Sequence, residues 1–232
     1  HHLILSLHIN ETGFDNEITS TRDGMQAIPW LAEMDVLGPE LLAVHCVQMD
    51  QQDIRLLAEA DVKVSHNPVS NMYLGAGIAP VVAMRKAGIT IGLGSDGAAS
   101  NNSQDMIEAM KVAALGQRAI QGSPAIFTAA EAFGMATVEG AKALGQQDLG
   151  QLAPGYQADL TVWRMDSPKT VPVHNPLASV VFSGGQQNVE TVIVGGQVLM
   201  EQGRLTNLDE AGLLAEAQRA ASSLVARANI KA

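Results

Sequence analysis

Four short apolar runs, each followed by a stretch of helical periodicity, constrain this chain more than any other feature. Leu3 to Ile9 is almost wholly apolar and reads as a strand buried on both faces. Leu41 to Val47, Val62 to His66 and Thr90 to Leu93 repeat the pattern. Between and after them lie predicted helices over Thr21–Met34, Asp50–Ala60, Ile78–Lys86 and Asn102–Arg118. Strand and helix alternating four times over short connections is the pattern of a parallel β/α arrangement.

The strand ends carry the chemistry. His8, His45 and His66 sit at the C-terminal ends of the first three runs, and Asp96 follows the fourth in Gly94-Ser95-Asp96-Gly97. In a β/α barrel those ends share one rim, so side chains distant in sequence converge. One histidine in an apolar strand is ordinarily a satisfied core residue, and Asp96 alone reads equally as a helix cap. Three histidines and an aspartate at equivalent strand ends favour a metal-centred site, since imidazole and carboxylate are ligands for hydrolytic zinc or iron. Glu11, three residues past His8, is placed either to shuttle protons or as a solvated loop residue.

The texture changes near Gly145. Thr128–Leu144 is helical in pattern, but Asp148–Trp163 reads as a turn and strand. Ala178–Phe182, Val189–Val194 and Gln197–Met200 read as further short strands, the last two joined by a Gly195-Gly196 hairpin. Leu208–Ala228 reads as a closing amphipathic helix. The expected division is a β/α portion over 1–145, a β-rich subdomain over 146–207 and a helix over 208–232.

Charge and cysteine content exclude several classes. The formal net charge of -10 argues against nucleic-acid binding through phosphate neutralisation. No apolar stretch approaches the ~20 residues that span a bilayer, and no basic leader is visible, so a cytoplasmic enzyme is expected. Cys46, the single cysteine, is expected to be a reduced core residue. One cysteine cannot make the P-C-x-x-C zinc-deaminase motif, and no G-x-S-x-G serine-hydrolase motif occurs.

Four motifs together resemble the amidohydrolase superfamily, in its triazine/guanine/methylthioadenosine (S-adenosylhomocysteine) aminohydrolase branch. They are His8-x-x-Glu11, Ala43-Val44-His45-Cys46-Val47, Ser65-His66-Asn67-Pro68-x-Ser70-Asn71, and Gly94-Ser95-Asp96-Gly97-Ala98-Ala99-Ser100-Asn101-Asn102. Leu149-Gly150-x-Leu152-x-x-Gly155-x-x-Ala158-Asp159-Leu160 is similar to the stretch leading into that family's small β-sandwich. The resemblance implies an α/β fold: the C-terminal half (strands five to eight) of a (β/α)8 TIM-type barrel plus part of the sandwich. It implies His8 and Asp96 as metal ligands, with zinc expected and iron(II) the alternative. It implies Glu11 as proton donor to the substrate ring, His45 as hydrogen-bond partner of the attacking hydroxide, His66 as pocket lining and Asn71 as a brace for its loop. Asp96 would take the water's proton and hand it to the leaving ammonia.

The implied reaction is deamination of a purine nucleoside or related heterocyclic amine, methylthioadenosine or S-adenosylhomocysteine first. Guanine-type bases, triazines (dechlorination or dealkylamination) and cyclic amides are alternatives, as is a non-catalytic fragment or accessory subunit. The family's His-x-His pair on the first barrel strand has no counterpart here, because His1-His2 are adjacent and precede the first run. Four strands cannot close an eight-stranded barrel. The chain is therefore expected to be part of a longer protein, homo-oligomeric when complete, and inactive alone.

Overall fold

The computed structural model describes residues 3–229, so the His1-His2 pair lies outside the described residues. The chain divides into two compact units. One holds the chain up to Tyr156 together with Met165–Gln186; the other holds Gln157–Arg164 and the chain from Gln187 onward.

The first unit is built on four parallel strands in sequential order: β1 (Leu5–Ile9), β2 (Leu41–His45), β3 (Lys63–His66) and β4 (Ile91–Leu93). Parallel neighbours need crossovers, and helices supply them. The first crossover holds α1 (Gly13–Asp23) and α2 (Ala27–Glu33). The second is α3 (Gln51–Glu59), and the third holds α4 (Pro68–Tyr73) and α5 (Val81–Lys86). Beyond β4 come α6 (Ala98–Asn101), α7 (Met106–Gln121), α8 (Ala129–Ala136) and α9 (Val138–Ala143). Ala43, Val64, Ile91, Leu57, Val81 and Met84 are fully enclosed between sheet and helices. Where β4 meets α9, a Cβ on Gly92 would lie 3.1 Å from the Cα of Gly140, so glycine permits the close approach.

Several helix boundaries differ from the sequence expectation, each for a local reason. The predicted Thr21–Met34 helix is two helices, because Gly24 ends α1 in a left-handed conformation at φ 77°. Thr12 caps α1 and draws its start forward to Gly13. Between β3 and the helix expected over Ile78–Lys86 lies a further short helix, α4, started by Pro68 in its first turn. The helix expected from Ile78 starts only at Val81, after Pro80. The helix expected from Asn102 begins at Met106, where Asp105 accepts from the backbone N–H of Ile107 at 2.8 Å, while Asn102 closes α6 at φ 60°. The helix expected over Thr128–Leu144 breaks at Thr137, whose φ −129° and ψ −99° are not helical.

Two corrections concern strands. Ala178–Phe182 is not a strand but lies in α10 (Pro176–Ser183), packed on α7 and α8. Asn175 caps it by accepting from Ala178 N–H at 3.0 Å, and Pro176 occupies its first turn. A five-residue apolar run is buried equally well by either structure, and the Asn-Pro start decided it. The first run is not buried on both faces: Leu5 is 51% exposed and Leu3 77%, since among the described residues β1 pairs only with β2.

The second unit is an antiparallel sheet of β5 (Leu160–Trp163), β6 (Val189–Val194), β7 (Gln197–Glu201) and β8 (Arg204–Leu205), in that order. Gly195 and Gly196, both at positive φ, form the two-residue hairpin expected between β6 and β7. It ends in α11 (Glu210–Ala228), whose Leu213, Leu214, Leu224 and Val225 stay exposed. No helix among the described residues is long and apolar enough to cross a membrane.

Cys46 follows β2 fully buried, and burial, then the charge of Asp53, push its thiol up to about 12. A thiol held that high is unreactive. Ellman's reagent at about pH 8 is expected to label under a tenth of native chains, and about one thiol per chain in guanidinium. Rapid labelling of the native form would show that β2 does not bury its end.

Candidate active site

The register of the parallel sheet sets where each candidate residue stands. His8 pairs with Val44, Val44 with Ser65, and Ser65 with Gly92, forming one row across the sheet. His45 pairs with Ile9 and His66 with Leu93, one residue further along. Neighbouring rows of a sheet point to opposite faces. Regular strand geometry would therefore separate His8 from His45. Yet their rings meet edge to face with centroids 4.8 Å apart. The reason is that His45 leaves the strand in a left-handed conformation, φ 75°, with Cys46 following at φ 49°. Positive φ at a non-glycine residue costs of order ~1–3 kcal/mol and persists only where the surroundings enforce it.

Those surroundings are visible. The His45 ring is fully buried, and its Nδ1 donates to Asn71 Oδ1 at 2.8 Å. An amide oxygen can only accept, so Nδ1 carries a proton, and in the neutral ring the lone pair then falls on Nε2. That Nε2 has no hydrogen-bond partner among the described residues and lies 3.8 Å from Glu11 Oε2. Asn71 thus holds a candidate catalytic ring through its amide oxygen, while its backbone carbonyl accepts from Ala76 N–H in the turn that follows. The rim is tied further by Asn10 Nδ2 donating to Gln48 O at 3.1 Å and Gln48 Nε2 donating to Ala76 O at 2.8 Å.

His8, Glu11 and His45 each offer a ligand atom, and these atoms lie within 4.8 Å of one another. His8 is exposed, Glu11 half-buried and His45 buried. His66 is buried with neither ring nitrogen partnered among the described residues, and burial, then the electrostatic effect of His45, lower it to about 3. The imidazole is therefore neutral at physiological pH. The His8, Glu11 and His45 set offers imidazole nitrogens and a carboxylate oxygen, the donors that a borderline divalent cation such as zinc takes.

Asp96 follows β4 at φ 60° and is half-buried. It is not the cap of α6, whose N-cap is Gly97. Its Oδ2 accepts from Ser70 Oγ at 2.6 Å and its Oδ1 from Gly97 N–H at 2.8 Å. Burial raises its carboxyl, but hydrogen bonds from Ser70, Gly97 and Ser100 and the charge of His45 outweigh that, holding it below the ordinary carboxylate range. The structure thus brings His8, Glu11 and His45 into one cluster, with His45 also acting electrostatically on His66 and Asp96. The sequence reading missed what Ser70 does. The available signal was its place two residues after Pro68, in the first turn of a helix beginning at a strand end.

Comparison with known proteins gives a consistent neighbourhood. A family profile described as the amidohydrolase family matches residues 1–199. A 5-methylthioadenosine/S-adenosylhomocysteine deaminase of Desulforudis audaxviator is 42% identical over 222 residues, 95% of this chain and 52% of the relative. A 5'-deoxyadenosine deaminase of Methanothermobacter thermautotrophicus is 42% identical over 224 residues, 96% of this chain and 52% of the relative. Among solved structures, an adenosine deaminase from Xanthomonas campestris with bound zinc superposes with TM-score 0.90 at 32% identity, over 93% of this chain and 49% of that one. The chain spans about half the length of the curated relatives it matches.

The buried imidazole of His66 makes a pH-dependent contribution to stability. The folded state keeps it neutral to about 3, while the unfolded chain protonates near 6.5. The unfolded state binds the extra proton within that window, so stability falls as pH drops through it, by about 1.4 kcal/mol per unit. In urea titrations of chelator-treated protein, His66→Phe is expected to lose about 2 kcal/mol less than the parent between about pH 7 and about pH 5. Parallel losses in the two proteins would show that His66 is solvated.

Proposed function

The chain belongs to the amidohydrolase family, and on that premise we propose that it is the C-terminal half of a metal-dependent deaminase of purine nucleosides. In this reading residues 1–145 carry strands five to eight of a (β/α)8 barrel, 146–207 a portion of a small β-sandwich and 208–232 a closing helix. Support comes from the sequential parallel order of β1 to β4, the uncovered edge of β1, and relatives twice as long. The substrate class follows from relatives named for 5'-deoxyadenosine, methylthioadenosine and S-adenosylhomocysteine.

His8 and Asp96 are the proposed ligands of one zinc ion, iron(II) being the alternative, with the remaining ligands coming from outside this chain. The ion would supply the acidity that makes water a nucleophile near neutral pH. The rest is work for side chains described above. Glu11 is half-buried at the mouth of the cluster and can carry a proton to the ring nitrogen of a bound purine. His45 presents a free Nε2 to the oxygen that adds at the amine-bearing carbon. His66 offers a neutral ring to the pocket. Asp96, anionic and fixed through both carboxylate oxygens, accepts the water's proton and returns it to the amine, which leaves as ammonia. The observation that carries this reading is the buried, partnerless Nε2 of His45 facing Glu11 beside His8.

The 232-residue chain is to be compared with a form extended upstream to the length of the relatives, for zinc by elemental analysis and for ammonia release from 5'-deoxyadenosine and methylthioadenosine. The extended form is expected to hold about one zinc per chain and to deaminate both nucleosides, with the short chain doing neither. An active, zinc-loaded short chain would overturn the half-barrel reading. A zinc-loaded long form that releases no ammonia from either nucleoside would overturn the substrate class.

A further inference from the structure

α4 reaches into the site at consecutive residues. Ser70 and Asn71 are both fully buried, and neither side chain faces solvent. Ser70 Oγ donates to Asp96 Oδ2 at 2.6 Å, and Asn71 Oδ1 accepts from His45 Nδ1 at 2.8 Å. Two residues further, the Tyr73 hydroxyl accepts from Asn102 Nδ2 at 2.9 Å. The loop after β4 is therefore held by α4 near both of its ends. The Asn71 backbone carbonyl also accepts from Ala76 N–H at 2.8 Å, closing the turn behind the helix.

We propose that Ser70 and Asn71 are paired positioning residues through which α4 sets the Asp96 carboxylate and the His45 imidazole in register with each other; this rests on the deaminase reading above. The terminal torsion of an aspartate is broad, so a carboxylate is free to rotate unless both oxygens are engaged. Gly97 N–H engages Oδ1 from within the same loop. Ser70 engages Oδ2 from a different segment, with the short contact typical of a hydroxyl on a charged acceptor. The imidazole of His45 has the matching problem, since either nitrogen can carry its proton. Asn71 selects Nδ1 and thereby frees Nε2 toward Glu11. Because both bonds come from adjacent residues of one helical turn, the spacing between the two held groups is a property of α4.

A bond to Asp96 that only stabilised the fold would leave the ratio of kcat to KM unmoved once the protein had folded. The test uses the upstream-extended form, with Ser70→Ala, Ser70→Thr and Asn71→Ala. Ser70→Ala is expected to lower kcat for 5'-deoxyadenosine by about 10–100-fold with KM changed less than about threefold, and Ser70→Thr, which keeps the hydroxyl, to recover most of the loss. In metal-free protein labelled with 15N-histidine, His45 is expected to show a single Nδ1-protonated tautomer, which Asn71→Ala converts to a mixture. A crystal structure of metal-free Ser70→Ala is expected to show the Asp96 carboxylate rotated. Full kcat in Ser70→Ala, an unrotated carboxylate, or an unchanged tautomer in Asn71→Ala would overturn the proposal. If the parent protein releases no ammonia, the deaminase reading fails, and the tautomer and carboxylate measurements still decide the positioning role.

Discussion

Everything at this site depends on one break in strand geometry. Parallel pairing sets His8 and His45 in adjacent rows, which a regular sheet would aim at opposite faces. The left-handed backbone at His45 reverses that, and the ring arrives against His8 with Nε2 toward Glu11. A bulky residue at positive φ is held there by something outside its own strand. Here the holders are complete enclosure of the ring and the Asn71 amide on Nδ1.

Burial and hydrogen bonding, with a smaller part from His45, set the charge states of two neighbours. His45 lowers both neighbours that respond to it: the buried His66, already pushed down by desolvation, and the half-buried Asp96. The two are affected differently in kind. For His66 the result is a neutral ring, chiefly because enclosure away from water disfavours its charged form. For Asp96 it is a stable anion, because hydrogen bonds from Ser70, Gly97 and Ser100 add to the attraction and exceed the burial cost. In the proposed deamination the neutral His66 ring lines the pocket, and the fixed Asp96 carboxylate is the anion that accepts a proton.

Composition and pattern make some parts of the fold legible and leave others open. β1 to β4 were recoverable because aliphatic and β-branched runs of that length, separated by amphipathic stretches, have few alternative arrangements. α10 was misread because Ala178–Phe182 has no period that separates helix from strand; its cap, Asn175, was the deciding signal. α1 and α2 were merged because the left-handed stop at Gly24 lies inside an otherwise continuous helical pattern. The first run is apolar without being enclosed, because apolar character records a residue's preference for burial and not how much of its surface the fold covers.

The amino-acid sequence by itself determined the parallel β/α order, the glycine hairpin of the second unit and the identity of the residues at the strand ends. These are local properties of side-chain type and spacing, and they survive in any context. Only the tertiary structure decided that His8, Glu11 and His45 meet, that Asp96 is held by Ser70, and that Asn71 chooses the tautomer of His45. Each of those depends on a backbone angle at one residue or on a contact between segments some 26 positions apart. No periodicity in the chain encodes either, because a hydrogen bond across a fold is specified by where two elements pack and not by the residues beside it.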